Sequence, residues 1–375
     1  MNTAEDRVIV AGAGIAGLAL ARALHQHDVA AVVLDRVAEP PSGGLALNLP
    51  GNAVRLLGSL GVGDALAQLG KPIRRREYRT AKNRLVFAVN EEAFWGEEFG
   101  SRCVRRHDLL ALLRRDLPAD TIHWGRTISS VRHVPEGVAA VLADDEVETG
   151  TLLVGADGVH SAVRAAALGD TAPVTAALSA ASWRFMAPDP GIDCWTVWTD
   201  VLGAFLLIPV DGGQVYGFAS ATRGGPVDPD PAWMRDTFAS FPDPVPAVVQ
   251  AVLSDQSSLY HSPIEEVRIP RWSDGPVVLI GDAAHATAPV WAQGAAMAVE
   301  DAVVLAELLA SHDDWSSIGA EFEVRRRPRI THVQTMTDRL SRAAALPGWF
   351  RNAIYPFVGP RTFRETYGPL KTAAP

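Results

Sequence analysis

The fold is decided near the start of the chain, by residues 7–25, RVIVAGAGIAGLALARALH. The run Arg7–Ala11 is apolar and partly β-branched, which predicts a buried parallel strand. The stretch Ile15–His25 is rich in alanine and leucine and predicts a helix. The turn between them carries three glycines, Gly12, Gly14 and Gly17. Glycine permits a tight turn there and lets the helix pack closely against the strand.

A turn of this kind can hold the pyrophosphate of a dinucleotide, because the N-terminus of the helix offers unpaired N–H groups and a positive dipole end. The next apolar run, Ala30–Leu34, completes a strand-helix-strand unit and is followed by Asp35 and Arg36. A carboxylate at this position accepts hydrogen bonds from a ribose diol. We therefore predict dinucleotide binding, with Arg36 as a further contact; the alternative is a glycine-rich turn without a ligand.

Length and composition limit the possible classes of protein. The chain has 375 residues, 48% of them hydrophobic and 21% charged, and a net charge of −9, as expected for a globular protein with one large domain and one smaller domain. The acidic balance argues against nucleic-acid binding. The two cysteines, and the lack of a cationic leader or a long apolar run, lead us to expect a cytoplasmic protein without membrane association. No spacing of ligand residues predicts a metal site.

The pattern along the chain changes twice. From about Thr171 to His261, short apolar and aromatic runs separated by Pro, Gly and Asp predict an antiparallel sheet. After Pro270 the nucleotide-domain pattern returns, with a strand at Val277–Ile280 and a long helix at Gly294–Ala310. We predict a discontinuous nucleotide-binding domain of residues 1–75, 98–170 and 265–375, ending in C-terminal helices. The substrate domain comprises residues 76–97 and 171–264.

Two later segments distinguish FAD from NAD as the dinucleotide. In residues 152–164, LLVGADGVHSAVR, an apolar strand enters a turn that contains Asp157. In residues 277–289, VVLIGDAAHATAP, a second strand ends at Gly281 and Asp282. Ligands of open α/β sheets bind at the carboxyl ends of such strands, where an aspartate can bond a polyol. The helix that starts at Gly294 would direct its N-terminus at the flavin pyrimidine.

At these residues the chain resembles the group A flavin-dependent monooxygenases, the para-hydroxybenzoate hydroxylase-like family, from Arg7 to about Arg339. The resemblance implies an α/β fold, with a Rossmann-like FAD/NAD(P)-binding domain and an inserted mixed or antiparallel β-sheet substrate domain. It implies tightly bound, non-covalent FAD, held in part by Asp282 and Arg106, with Asp157 near the pyrophosphate. NADH or NADPH would dock transiently, since no second glycine motif follows a strand.

The segment Pro289–Ala296 departs from the family at two positions. It keeps the family proline, Pro289, beside the flavin, and Ala295 follows Gly294 at the helix start. Ala292 stands where the family usually has glycine, and Ala296 where it commonly has asparagine. Backbone contacts to the cofactor would survive both changes, and Trp291 would add an aromatic wall.

The substrate would lie under the inserted sheet. Side chains on alternate positions of a strand share a face, and we predict a pocket from the following residues: Trp183, Trp195, Trp198, Phe205, Leu207, Phe218 and Trp291. Arg184 and Tyr216 match strand positions where family members place polar groups toward the flavin. With Pro289, they are the predicted catalytic residues. For each pocket aromatic taken singly, a role in the core is the alternative.

The predicted activity is that of the family: NAD(P)H and O2 form a flavin C4a-hydroperoxide, which hydroxylates or epoxidises an aromatic, polycyclic or polyunsaturated small molecule. A flavin-dependent reductase or dehydrogenase of the same fold is one alternative, and a non-catalytic flavin-binding regulator is another. A membrane-associated quinone hydroxylase also stays open, because Leu346–Phe357 is largely apolar. We expect a monomer or a homodimer.

Overall fold

The computed structural model of the protein describes residues 7–169, 172–222, 225–344 and 348–372. The predicted domain boundary at 170 and 171, and the first residues of the apolar stretch at Leu346, lie outside these ranges. The strands are β1 (Arg7–Ala11), β2 (Ala30–Asp35), β3 (Ala46–Leu49), β4 (Lys71–Pro72), β5 (Arg75–Thr80), β6 (Leu85–Asn90), β7 (Arg102–Arg105), β8 (Ile122–Trp124), β9 (Ile128–Val134), β10 (Gly137–Leu142), β11 (Val147–Gly150), β12 (Leu152–Gly155), β13 (Val174–Thr175), β14 (Ala181–Pro188), β15 (Trp195–Thr199), β16 (Gly203–Val210), β17 (Gln214–Ala221), β18 (Leu259–Pro263), β19 (Glu265–Glu266), β20 (Ser273–Asp274) and β21 (Val277–Leu279).

The α-helices and the short 3₁₀ turns connect and cover these strands. The helices are α1 (Ile15–Gln26), α2 (Gly51–Ser59), α3 (Gly63–Leu66), α4 (Glu91–Trp95), α5 (Arg106–Arg114), α6 (Ala162–Leu168), α7 (Ala232–Phe238), α8 (Val245–Ser254), α9 (Asp282–His285), α10 (Gly294–Ser311), α11 (Ile318–Ala344) and α12 (Gly348–Tyr367). The 3₁₀ turns are Gln256–Ser258, Pro289–Trp291 and Gly368–Leu370.

The first layer of the fold is a sheet in the order β20-β21-β12-β1-β2-β8, parallel except at its β20 edge. The central strand is β1, whose residues Val8, Ile9 and Val10 are fully buried although their side chains alternate between the two faces of the sheet. Helices α1 and α10 pack together on one face, with α2 and α5 beside them. The small sheet β11-β10-β9 contributes Val138 to the same core. The carboxyl ends of β1, β12 and β21 therefore open at a common edge.

The second layer is a sheet in the order β18-β14-β17-β16-β15-β5-β6. It is antiparallel except where β5 runs parallel to β15, so it joins residues 75–90 with residues 181–263. One face, the back face, is covered by α7 and α8, as shown by the shared core of Phe205 and Phe238. The other, the front face, carries Trp195 and Ile208 and meets Cys103 of β7, which belongs to a small separate sheet in the order β3-β7-β4. The front face and the nucleotide-type layer thus enclose a common space.

A buried ion pair joins the second layer to the C-terminal helix. Arg76 of β5 pairs with Glu91, and both side chains are almost fully buried. Glu91 Oε2 also accepts hydrogen bonds from Trp95 Nε1 at 2.7 Å and Ser101 Oγ at 2.6 Å. The Arg76 guanidinium lies 5.2 Å from the centre of the Trp195 ring and donates to the Tyr367 hydroxyl. The helix α12 is therefore fixed across the edge of the front face.

Breaking this pair on one side should destabilise the fold strongly, because an uncompensated buried charge remains. We expect Arg76→Met to lower the free energy of unfolding by about 3–5 kcal/mol. The double variant Arg76→Met/Glu91→Gln should recover a large part of that loss, since the glutamine oxygen still accepts from Trp95 and Ser101. Urea unfolding of the apoproteins measures both values. A double variant no more stable than Arg76→Met would contradict the assignment of Arg76 and Glu91 as a compensated buried ion pair.

Candidate cofactor and substrate site

The three glycines of the first motif form a cradle at the carboxyl end of β1. Gly12 has φ +102°, and a Cβ there would lie 2.7 Å from the Ala156 carbonyl oxygen. A Cβ at Gly17 would lie 1.9 Å from the Gly12 carbonyl oxygen. Any larger side chain would push the strand, the turn and α1 apart. Gly14 precedes α1 without a side-chain cap, so the first N–H groups of the helix remain available for a phosphate.

Asp35 ends β2 beside this cradle. Its Oδ2 accepts a hydrogen bond from the Ala13 N–H at 2.5 Å, and its Oδ1 accepts one from the Val37 N–H at 2.9 Å. The carboxylate is half-buried, whereas Arg36 is exposed. Asp35 therefore braces the glycine turn and still reaches solvent, as a ribose-binding carboxylate must.

The second motif folds through its own aspartate. Asp157 Oδ2 accepts from the Ala162 and Val163 N–H groups at 2.7 and 3.1 Å, and Oδ1 accepts from the Ser161 hydroxyl. These bonds close the N-terminus of α6, so Asp157 shapes the turn that lies against Gly12. Arg164, the last residue of the 152–164 motif, carried no predicted role; it donates to the Ala283 carbonyl at 2.9 Å and links this turn to the third motif.

The third motif rests on a buried charge network. Gly281 adopts φ +58°, and its N–H donates to Asp301 Oδ2 at 2.8 Å. The same oxygen lies 2.7 Å from His285 Nε2, and Oδ1 accepts from Arg326 Nε at 2.7 Å. Asp301 and Arg326 are fully buried. Burial alone would raise the pKa of Asp301, but His285 and Arg326 hold it below its usual range. The carboxylate is thus a permanent anchor for the Gly281 turn.

Asp282 lies at the floor of the space between the layers. Its side chain reaches solvent, yet protein groups surround it and raise the pKa of its carboxyl. Electrostatic interactions with His285, Arg106 and Arg184 oppose that rise in the pKa. Arg106 starts α5, while Arg184 comes from the front face. Three residues predicted from separate parts of the sequence therefore converge here.

The segment before α10 closes the same space. Pro289–Trp291 forms a 3₁₀ turn, and Ala292 adopts φ +52°, a left-handed conformation that explains why glycine is usual at this position. Gly294 begins α10, and a Cβ there would lie 3.9 Å from Asp282 Oδ1. Ala295 is half-buried and Ala296 fully buried. The N-terminus of α10 is thus next to Asp282.

A paired amide, which the sequence analysis missed, holds this segment. Gln293, just before α10, and Asn52 of α2 hydrogen bond in both directions, at 2.9 and 3.3 Å. Both side chains are buried. Their separation of 241 positions left no local pattern that could have paired them.

The front face brings together four of the predicted residues. Arg184 lies opposite Phe218, and Tyr216 lies opposite Met186 on the same pair of strands. Trp195 lies in the same front-face cluster. Burial raises the pKa of Tyr216 to about 12, although Arg184 opposes the rise. The Tyr216 hydroxyl is therefore neutral at physiological pH.

The back face holds four further residues of the predicted pocket. Trp183, Trp198, Phe205 and Leu207 all belong to the core beneath α7 and α8. Trp183 Nε1 donates to the Asp228 carbonyl, and Trp198 Nε1 donates to Asn83 Oδ1. The structure corrects the expectation that these four line the pocket, because their face of the sheet is turned away from Asp282.

Within the ranges that the structure describes, no helix is long and apolar enough to cross a membrane. Among the same residues, no group of three His, Cys, Asp or Glu side chains is placed to hold a metal ion.

Comparisons with known proteins agree with this arrangement. Residues 5–334 match the family model described as FAD binding domain. The chain is 32% identical over 343 residues to the FAD-dependent urate hydroxylase of Klebsiella pneumoniae, covering 86% of each chain. It is 31% identical to the 3-amino-4-hydroxybenzoate 2-monooxygenase of Streptomyces cremeus, covering 92% of this chain and 89% of that protein.

The solved structures show the same fold. Klebsiella pneumoniae HpxO complexed with FAD and uric acid superimposes with a TM-score of 0.88 at 25% identity, over 99% of this chain and 97% of that chain. The glycine cradle, the uncapped start of α1 and the start of α10 beside Asp282 fit a bound FAD. The chain is therefore an FAD-dependent monooxygenase that belongs to the group A aromatic hydroxylase family.

Proposed function

We propose that this protein uses NADH or NADPH and O2 to hydroxylate or epoxidise an aromatic or polyunsaturated small molecule between the FAD site and the front face. The observation that carries the proposal is the pair Arg184 and Tyr216, two polar groups on an otherwise largely apolar face, together with the electrostatic interaction of Arg184 with Asp282. An apolar space with a few converging polar groups is typical of a small-molecule site.

Bound FAD would supply the redox chemistry, taking hydride from the nicotinamide and activating O2 for transfer of one oxygen atom. The protein's task is then to bind, orient and exclude water. Trp195, Met186 and Trp291 are all buried and present apolar surface toward this space. A planar ring fits between such walls.

Arg184 and Tyr216 would orient the ring by its oxygen substituents. The guanidinium donates charge-assisted hydrogen bonds, which favour a phenolate or carbonyl oxygen. Tyr216, neutral because burial raises its pKa to about 12, keeps its proton and donates as well. Both groups therefore stabilise negative charge on a substrate oxygen, which makes the ring carbon more electron-rich.

We assign the cofactor contacts from the same geometry. The cradle of Gly12, Gly14 and Gly17 would hold the pyrophosphate, and Asp35 the adenosine ribose. Asp282 would bond a ribityl hydroxyl. The N-terminus of α10, at Gly294, Ala295 and Ala296, would face the pyrimidine ring, with Pro289 beside the reacting edge. Arg106 and the exposed Arg36 complete the set.

The names of the relatives support the substrate class. By these names, the two relatives described above act on urate and on 3-amino-4-hydroxybenzoate. Another relative, 28% identical to this chain, acts on 3-hydroxybenzoate. These substrates are rings that carry oxygen. Two alternatives remain: a reductase or dehydrogenase of this fold, and a non-catalytic flavin-binding regulator. Each gives a different result when a panel of ring compounds is added to the holoenzyme.

The function is tested by adding a panel of phenols, hydroxypyridines and quinolones to the purified holoenzyme. We expect at least one compound to accelerate NAD(P)H oxidation, with one O2 consumed for each hydroxylated product. Product formed without O2 would instead show a reductase or dehydrogenase. A yellow protein that fails to oxidise NAD(P)H in the presence of every compound of the panel would favour the regulator.

The Asp301 anchor gives a prediction about the cofactor. Asp301→Asn should weaken FAD binding by about 10- to 100-fold, because a charge-assisted hydrogen bond is worth about 1.5–3 kcal/mol. Flavin fluorescence during titration of the apoprotein measures the affinity. The matched control is Glu307→Gln, an exposed carboxylate on the same helix, which should leave it unchanged. FAD affinity within twofold of wild type in Asp301→Asn would refute the anchor.

Arg184 gives a prediction about turnover. Arg184→Met should keep FAD content and lower kcat/KM by about 10- to 100-fold, because the lost bonds are made to substrate rather than to cofactor. Hydrogen peroxide release should rise as oxygen transfer fails. The control Arg235→Met changes an exposed arginine of α7, on the helices that cover the back face. If hydrogen peroxide release relative to NAD(P)H oxidation is unchanged in Arg184→Met, Arg184 does not contact the substrate.

A further inference from the structure

One buried side chain near the proposed pocket has no partner. Both amide atoms of Asn48, Nδ2 and Oδ1, are shielded from solvent without a hydrogen bond, and the residue is only 8% exposed. Buried polar groups in folded proteins are nearly always paired, and an unpaired one costs about 1–3 kcal/mol. Four residues later, Asn52 is more deeply buried, but its amide hydrogen bonds with Gln293 in both directions. The unpaired amide of Asn48 can therefore hydrogen bond to a ligand.

The strand geometry shows which way Asn48 faces. On β3, Leu49 enters the core of the first layer, whereas Ala46 belongs to the front-face cluster. Side chains alternate along a strand, so Asn48 lies on the side of Ala46. Its register partner on β7 is Cys103, which packs in the same cluster with Trp195 and Ile208. The Asn48 side chain is therefore directed toward the front face and away from the core of the first layer.

We infer that Asn48 determines substrate specificity in this pocket, by recognising a neutral ring edge on which a carbonyl acceptor stands beside an N–H donor. This inference rests on the proposed function and deepens it. A planar amide offers one acceptor and one donor side by side, and the edge of a cyclic amide meets both. A phenol meets only one of them, and a carboxylate places a second acceptor against Oδ1.

The other charges around the pocket are consistent with a neutral edge at Asn48. Arg76, whose guanidinium lies 5.2 Å from the centre of the Trp195 ring, is already balanced by Glu91, and Arg105, which follows Cys103 on β7 by two positions, is paired with Asp211. Arg184 stands at the Asp282 end, where it can take the oxygen that directs reaction. Met186, an unbranched side chain in the same cluster, can change rotamer to admit a ring.

The test uses the FAD-loaded enzyme and two bicyclic probes of similar size, 2(1H)-quinolone and 2-naphthol. Titration of each against the visible spectrum of the bound flavin gives Kd without turnover. We expect wild type to bind the quinolone at least about tenfold more tightly, because a site built for hydrogen bonds rejects an analogue that lacks them. In Asn48→Leu the two values should fall within about twofold of each other.

A second readout separates recognition from a structural role. Asn48→Leu should raise the Tm of the apoprotein, because it removes an unpaired buried amide. Asn52→Leu, the same substitution at the paired amide, should lower it. A quinolone preference retained in Asn48→Leu, no preference in wild type, or loss of FAD in Asn48→Leu would each overturn the inference. The proposed function fails separately, if no compound promotes NAD(P)H oxidation while the binding preference persists.

Discussion

The carboxylate of Asp301 accepts hydrogen bonds from the Gly281 backbone and from Arg326, and contacts His285, all inside the core. The interaction fixes a backbone turn that the sequence of the turn cannot fix alone, since Gly281 is free to adopt many conformations. With the turn fixed, Asp282 projects into the space between the layers and Ala283 presents its carbonyl to Arg164. The second and third motifs are thereby held in one frame.

The network also explains why so many charges are buried together. Arg326 pairs with Glu300 as well as Asp301, and Glu300 in turn accepts from Arg329. Arg329 donates to the Pro369 carbonyl at the end of the chain. Each charge is compensated, which is the condition for keeping ions in a low-dielectric core. The helices α10 and α11 and the C-terminal turn are therefore positioned by the same contacts that hold the cofactor turn.

The strand-turn-helix unit at Arg7–His25 was predictable from the sequence because its determinants are local: glycines where backbones approach and apolar runs on either side. The two faces of the large sheet were not. Period-two alternation shows that Phe205 and Leu207 share a face, but only the packing of α7 and α8 decides that it is the back face. The helix α8 itself lay in the stretch from about Thr171 to His261, which was predicted to be an antiparallel sheet.

Long-range pairs were equally hidden, since neither member of the Asn52–Gln293 amide pair or of the Arg76–Tyr367 contact carries a local signal. The prediction that Tyr216 and Phe218 share a surface needed only alternation, and the structure places both on the front face. The distinction is physical: a strand's own sequence encodes which residues face together, while the elements that cover each face come from other parts of the chain.

The segment beside α10 shows how this chain compensates for its departures from the family pattern. Ala292 keeps a left-handed conformation that costs a non-glycine residue about 1–2 kcal/mol. The Tyr367 hydroxyl donates to the Trp291 carbonyl at 2.6 Å, immediately before it, and Gln293 is fixed by Asn52 immediately after. The strained residue is thus clamped from both sides. Because Ala296 offers no side-chain polar group, recognition of the pyrimidine ring in the proposed cofactor site would fall to the backbone N–H groups and dipole of α10, and those need a rigidly placed helix start.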